Sequence, residues 1–345
     1  MQRALTLCEF LEDTGAEVRF YDMGRRVVAI ARDDFLEFER TARPYPLPMQ
    51  QKAWFALVQQ RPAGAGEPLI WFLCFDLDEQ AKLVQATRDY FIHRFVELAG
   101  ATQGDTDLAS ALDDNPFTFK PREDKLANLN AVLKRDLAQA PSQYFEHSRD
   151  YFAGKLGWDQ WKFVGYQGIA DIAARHREPH VLRLLAEAAP KLPDEPLVAL
   201  CQCLENHPLA DDLGEALRDR LATAVNRADS SAALLAALLR GLSRASGRLL
   251  KSALSDVLRH PAASDAEVMA AIGGRAWEAL QDERVAKAYL EHLASPAVGQ
   301  EVFNHCVADL LHMPQMQDSI LQVLRSPQRS ERLEGAFQTL LQGNQ

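Results

Sequence analysis

A helix breaker recurs through the second half of the chain. It stands at Leu258–Pro261, Leu293–Pro296 and Leu324–Pro327, and the prolines are 35 and then 31 residues apart. Two periods upstream of Pro261 lies Leu192-Pro193; the intermediate mark, at Val225–Arg227, has no proline. Proline stops a helix because it lacks an N–H and crowds the preceding turn. Breakers spaced by roughly 34 residues leave room for two short helices per period. One such pair cannot bury its apolar face alone, so pairs must stack.

The candidate pairs are 159–176 with 179–191, 195–206 with 211–225, 230–243 with 247–260, 264–280 with 283–294, and 298–312 with 315–325. A last helix at 329–342 caps the array. Leu234, Leu235, Leu238, Leu239 and Leu242 form an apolar stripe too wide for one buried face, as expected of a helix flanked on two sides. Pro179 and Pro296 suit first-turn positions, and Asp194, Ser264 and Asp265 suit N-caps.

The first hundred residues read differently. Residues 2–13 form a short helix. Glu17 to Asp22 alternates, a turn follows at Met23-Gly24, and Val27 to Ile30 makes a second strand. Asp33-Asp34 caps a helix running to Arg40. Ala53–Val58 and Leu69–Phe75 are further strands joined by the glycine- and proline-containing loop at 62–66, and Asp78–Leu98 has a helical pattern. The expected fold is an α+β N-terminal module, a small antiparallel sheet with helices, followed by an all-α irregular HEAT-like solenoid; helix predominates. The expected division is 1–100 α+β module, 101–121 loop or linker, 122–157 connecting helices, and 158–345 HEAT-like repeats with a cap helix.

Recognisable chemistry is scarce. Asp76, Asp78 and Glu79 follow a strand end, where carboxylates can act as acids and bases. The plainer reading is that Asp78 caps the next helix. Asp105, Asp107, Asp113 and Asp114 invite a calcium reading, but the sixth and twelfth loop positions hold Ser110 and Pro116 rather than glycine and glutamate, which rejects an EF-hand. Cys201 and Cys203 are two apart, so on a helix they diverge and read as small core residues. The nine histidines contain no HExxH pattern. No phosphate loop or nucleophile elbow is present. No cofactor and no metal is expected, and no catalytic residue is assigned.

Two features remain as interaction candidates. Tyr144, Phe145, Tyr151, Phe152, Trp158, Trp161, Phe163 and Tyr166 put eight of the chain's 28 aromatics into 23 residues. Exposed, they would bind a partner; their position at the expected junction favours burial. Arg175, Arg177 and Arg183, with His176 and His180, form one basic run, and Arg240, Arg244, Arg248 and Lys251 begin another. Both fall at turns within pairs, which line one edge of a solenoid. These seven arginines and lysines are the candidate partner-binding residues, suited to an acidic protein surface.

The stretches Tyr21–Arg26 and Trp71–Gln80, with Trp158–Tyr166, make the chain resemble a gammaproteobacterial family of unknown function. That resemblance covers most of the chain and implies no activity or catalytic residue.

The net charge is −10, with −6 in residues 1–150 and −4 beyond. That argues against nucleic acid and anionic membrane as partners. No run of about 18 apolar residues exists for a membrane span. Five scattered cysteines, and acids too early for a secretory leader, point to the reducing cytoplasm. The leading expectation is a non-enzymatic protein-protein interaction or scaffold protein using a helical-repeat surface. The alternative is an enzyme with an acidic site in the N-terminal sheet module or at its junction with the array, whose acids and bases are Asp76, Asp78 and Glu79, joined by Asp22 or His93. A weaker alternative is RNA binding through the basic edge.

Overall fold

Residues 6–12, 17–60, 68–101 and 115–343 are described by the computed structural model. The expected loop at 62–66 and the aspartates Asp105 to Asp114 lie outside them. The chain divides into two compact units, Met1–Lys125 with His312–Pro314, and Leu126–Leu311 with Gln315–Gln345.

In the first unit the apolar runs form four strands: β1 (Glu17–Asp22), β2 (Val28–Ile30), β3 (Lys52–Gln60) and β4 (Leu69–Asp76). They make one antiparallel sheet in the order β2-β1-β3-β4. Phe20, Phe55, Leu57, Trp71, Leu73 and Phe75 face a core completed by Phe35, Phe38, Phe91 and Phe95. Those last four come from α2 (Arg32–Glu39) and α3 (Gln85–Ala101). Phe55 to Val58 are all buried, as a central strand covered on both faces requires. The short α1 (Leu7–Glu12) is tied down by Glu39, whose carboxylate accepts from the Leu7 and Cys8 amides at 2.6 and 3.0 Å. A carboxylate there satisfies amides that no helical carbonyl can reach.

Two local expectations change. Ala31, not an aspartate, holds the N-cap of α2, and Asp33 and Asp34 sit in its first turn. The helix expected from Asp78 starts at Gln85. Asp78 instead closes a tight turn, accepting from the Gln80 and Lys82 amides at 2.9 and 2.8 Å, with Ala81 at φ +57°. The aspartate competes for backbone donors that a helix would use.

The second unit is helical. Its elements are α4 (Glu123–Asp136, which begins in the first unit), α5 (Phe145–Phe152), α6 (Tyr166–Ala174), α7 (Pro179–Ala188), α8 (Asp194–Leu204), α9 (Asp211–Val225) and α10 (Ala232–Leu242). They continue as α11 (Gly247–Val257), α12 (Ala266–Arg275), α13 (Glu283–Leu293), α14 (Gln300–Leu311), α15 (Gln317–Arg325) and α16 (Glu331–Gly343). Helices next but one in sequence pack side by side, giving two rows. One row is α6, α8, α10, α12, α14 and α16; the other is α5, α7, α9, α11, α13 and α15. The wide stripe of α10 is fully buried, because α8 and α12 flank it within its row and α9 and α11 close it from the other.

Close approach within the first row needs small residues. A Cβ on Gly241 of α10 would lie 2.8 Å from the Cys201 sulfur on α8. Cys201 and Cys203 are both buried, and burial pushes the Cys201 thiol up to about 12. An apolar surrounding disfavours the thiolate. Asp265 caps α12 by accepting from the Glu267 amide at 2.8 Å; Pro179 lies in the first turn of α7. Pro296 occupies a turn before α14, and Ser264 ends a 3-10 turn. The pattern at 159–176 divides into a 3-10 turn, Trp158–Phe163, and α6, because Val164 and Gly165 are extended.

Candidate partner-binding surface

The basic residues that follow helix ends meet a requirement of the stack. The last carbonyls of a helix have no helical donor and carry the negative end of its dipole. In the turn after α8, the Pro208 carbonyl accepts from Arg177 Nε and Nη2 at 3.1 and 3.0 Å. The Asn206 carbonyl accepts from Arg244 Nη1 at 3.3 Å, 38 residues away. Arg175 is buried, with its Nη2 3.2 Å from the Gln139 carbonyl and its guanidinium 5.9 Å from the Phe145 ring. Lys251 pairs with Asp282 at 3.0 Å across 31 residues. Arg248 pairs with Glu215 across 33 residues and stays exposed. Arg240 and Arg275 clasp one buried carboxylate, Glu205, with Arg240 Nη2 at 3.1 Å and Arg275 Nε at 2.9 Å. These contacts join neighbours about one period apart, except Arg275 to Glu205, which spans two. Six of the seven candidate residues therefore bind the array's own turns or acids, and Arg183 differs from them.

Arg183 lies on α7. With His180, Leu184 and Glu187 it forms one face at helical spacing. This face and Lys191 form one wall of a cleft of about 300 Å³. Phe152, at the end of α5, and Trp158, opening the 3-10 turn, also line it. Arg183 and Lys191 are exposed, and neither makes an ion pair or side-chain hydrogen bond among the described residues.

The aromatic stretch splits by exposure. Phe145, Tyr151 and Phe152 are buried, and the Tyr151 hydroxyl donates to the Trp158 carbonyl at 3.0 Å. Phe163, however, is 73% exposed and Tyr144 49%. Trp158, Trp161 and Tyr166 are half-buried. The junction position predicts burial, which holds for Phe145, Tyr151 and Phe152 and not for Phe163 or Tyr144. The 3-10 turn Trp158–Phe163 has no buried residue, because its short run cannot turn every aromatic toward a core. A ring left in water keeps apolar area that remains available for burial.

The family described as Protein of unknown function (DUF3549) matches residues 2–341. The chain belongs to that family. No curated protein and no solved structure matches it. The family match embraces both units, so its extent does not single out the cleft.

The acid–base set from the sequence is dispersed. Asp76 pairs with Lys52 at 2.8 Å and Asp78 holds its turn. Glu79 is exposed, and His93 lies 3.7 Å from Glu97 on an exposed face of α3. Asp22 is fully buried, accepting from the Tyr45 hydroxyl and the Arg26 amide, each at 2.9 Å. Burial pushes its carboxyl up to about 6. Among the described residues, no group of three His, Cys, Asp or Glu side chains could hold a metal ion.

A buried histidine pair escaped sequence reasoning, because its members meet only through stacking. His176 and His207 have ring centroids 5.7 Å apart. Arg135 Nη1 lies 3.4 Å from His207 Nδ1, which therefore accepts. Burial first, then His176 and the nearby arginines, holds His207 well below its ordinary value of 6.5. A base with a lowered folded-state pKa stabilises the fold fully above its unfolded value and loses that contribution as pH falls. The loss should begin below pH 6.5, with a slope up to about 1.4 kcal/mol per pH unit. Urea unfolding between pH 7.5 and 5.5 (roughly the histidine range) checks this. A His207→Leu variant should lose less stability over that interval than wild type; parallel losses refute the assignment.

Proposed function

We propose that the protein is a non-enzymatic adaptor or scaffold that binds another protein through a HEAT-like helical-repeat surface. The single observation that carries this reading is exposed Phe163 at the end of the 3-10 turn, with exposed Tyr144 standing 19 residues before it, set at the first helix pair of the stack. Rigid aromatics that keep apolar area in water are typical anchors, because binding removes much surface at little entropy cost. Stacked helix pairs present long surfaces of this kind. The dispersed carboxylates give the enzyme reading no comparable focus. The net charge of −10 disfavours nucleic acid and anionic membranes as partners. Five cysteines, four of them buried and none in a disulfide among the described residues, suit the cytoplasm as the working compartment.

Affinity capture from a native lysate tests the reading. The wild-type chain should retain a stoichiometric protein, and Phe163→Ser should lower its affinity by at least roughly tenfold. No retained protein, combined with turnover of any compound in a metabolite library, would sink the proposal.

A further inference from the structure

The cleft beside α7 narrows the chemistry of that partner; the inference rests on the adaptor reading above. We propose that it receives an acidic protein segment, with an apolar side chain against Trp158 and one carboxylate directed to Arg183 and Lys191.

The argument is charge complementarity joined to size. Arg183 and Lys191 line the cleft with no acid or hydrogen-bond acceptor engaged among the described residues. The other six candidate cations hold carbonyls or carboxylates of the stack. Glu187 shares the wall, so two cations face one anion and the cleft remains positive by one charge. His180 lines it as well, with Glu178 3.7 Å away. That balance suits a single carboxylate. A run of phosphates would meet Glu187 and the negative charge of the whole chain. A volume near 300 Å³ accommodates a few side chains of an extended segment, not a helix. Half-buried Leu184 and Trp158 supply apolar contact beside the charges, the pairing that gives a peptide site both affinity and selectivity.

Panning a random-peptide library on the full-length chain tests the cleft. Wild type should enrich peptides with aspartate or glutamate next to an apolar residue. The double variant Arg183→Glu/Lys191→Glu should lose those peptides and enrich lysine or arginine instead. A labelled peptide from the wild-type selection should bind the double variant roughly tenfold more weakly, while the variant's melting temperature matches wild type. Enriched peptides without acidic bias, or equal binding to both proteins, would overturn the proposal. So would a labelled RNA hairpin that binds wild type more tightly than the peptide and is lost on charge reversal. Failure here, with Phe163→Ser still releasing the captured protein, removes the cleft alone; absence of any captured protein together with turnover of a metabolite removes the adaptor reading itself.

Discussion

Glu205→Ala is expected to destabilise the helical unit by about 3 kcal/mol, because it leaves Arg240 and Arg275 beside each other without their shared carboxylate. Glu205 is 2% exposed and ends α8; its two arginines come from α10 and α12. The pairs span 35 and 70 residues, so one side chain fixes three successive helices of a row. Removing it costs more than a surface pair because both guanidiniums are mostly dehydrated, at 25% and 21% exposure. The corresponding fall in melting temperature is roughly 6–12 °C. Replacing all three at once, as Glu205→Leu/Arg240→Met/Arg275→Met, should recover most of the loss, since no charge is then stranded. Thermal unfolding followed by circular dichroism distinguishes the cases. An alanine variant within about 1 kcal/mol of wild type would show that water replaces the carboxylate without difficulty.

The second large effect belongs to Gly168, where α6 crosses α5. A Cβ there would lie 2.7 Å from the Tyr144 carbonyl oxygen and overlap the Ser148 hydroxyl. The carbonyl is backbone and already accepts from the Ser148 amide at 3.1 Å, so the helices themselves must move. Gly168→Ala should lower stability by about 1–3 kcal/mol despite alanine's better helix propensity. Adding Ser148→Ala should relieve only part of the loss, because the carbonyl contact remains. Gly335 in α16 provides the control, since nothing lies within 4 Å of a Cβ placed there. Gly335→Ala should stabilise by about 0.5–1 kcal/mol. Urea midpoints that move the same way for both alanine variants would contradict the packing argument.

These contacts also show what a sequence can disclose. The breaker series and the leucine stripe located the helix pairs well, because proline and apolar spacing act locally. The sheet was legible for the same reason, from the alternation in Glu17–Asp22 and the apolar runs at Ala53 and Leu69. The division of the first long helix was not, since Val164 and Gly165 are ordinary residues whose extended backbone follows from their surroundings. Nor was the work of the basic runs. Arg177, Arg244 and Lys251 find partners 31 to 38 residues away, distances that mean nothing until the stacking is known. Arg183 belonged to the same run and resembled its neighbours. Only its position on the open face of α7, against the aromatic end of α5, separates it from them.

The clasp on Glu205 also restricts how the array can evolve. Stacked pairs lengthen by duplication, since each new pair finds the faces its neighbours already offer. A pair inserted between α8 and α12 would move Arg275 one place further along its row, beyond the carboxylate it now shares with Arg240. An insertion in that interval would therefore strand a mostly dehydrated guanidinium, whereas one elsewhere would break only single-span contacts such as that of Arg177 with the Pro208 carbonyl, so the interior would act as a fixed counting frame.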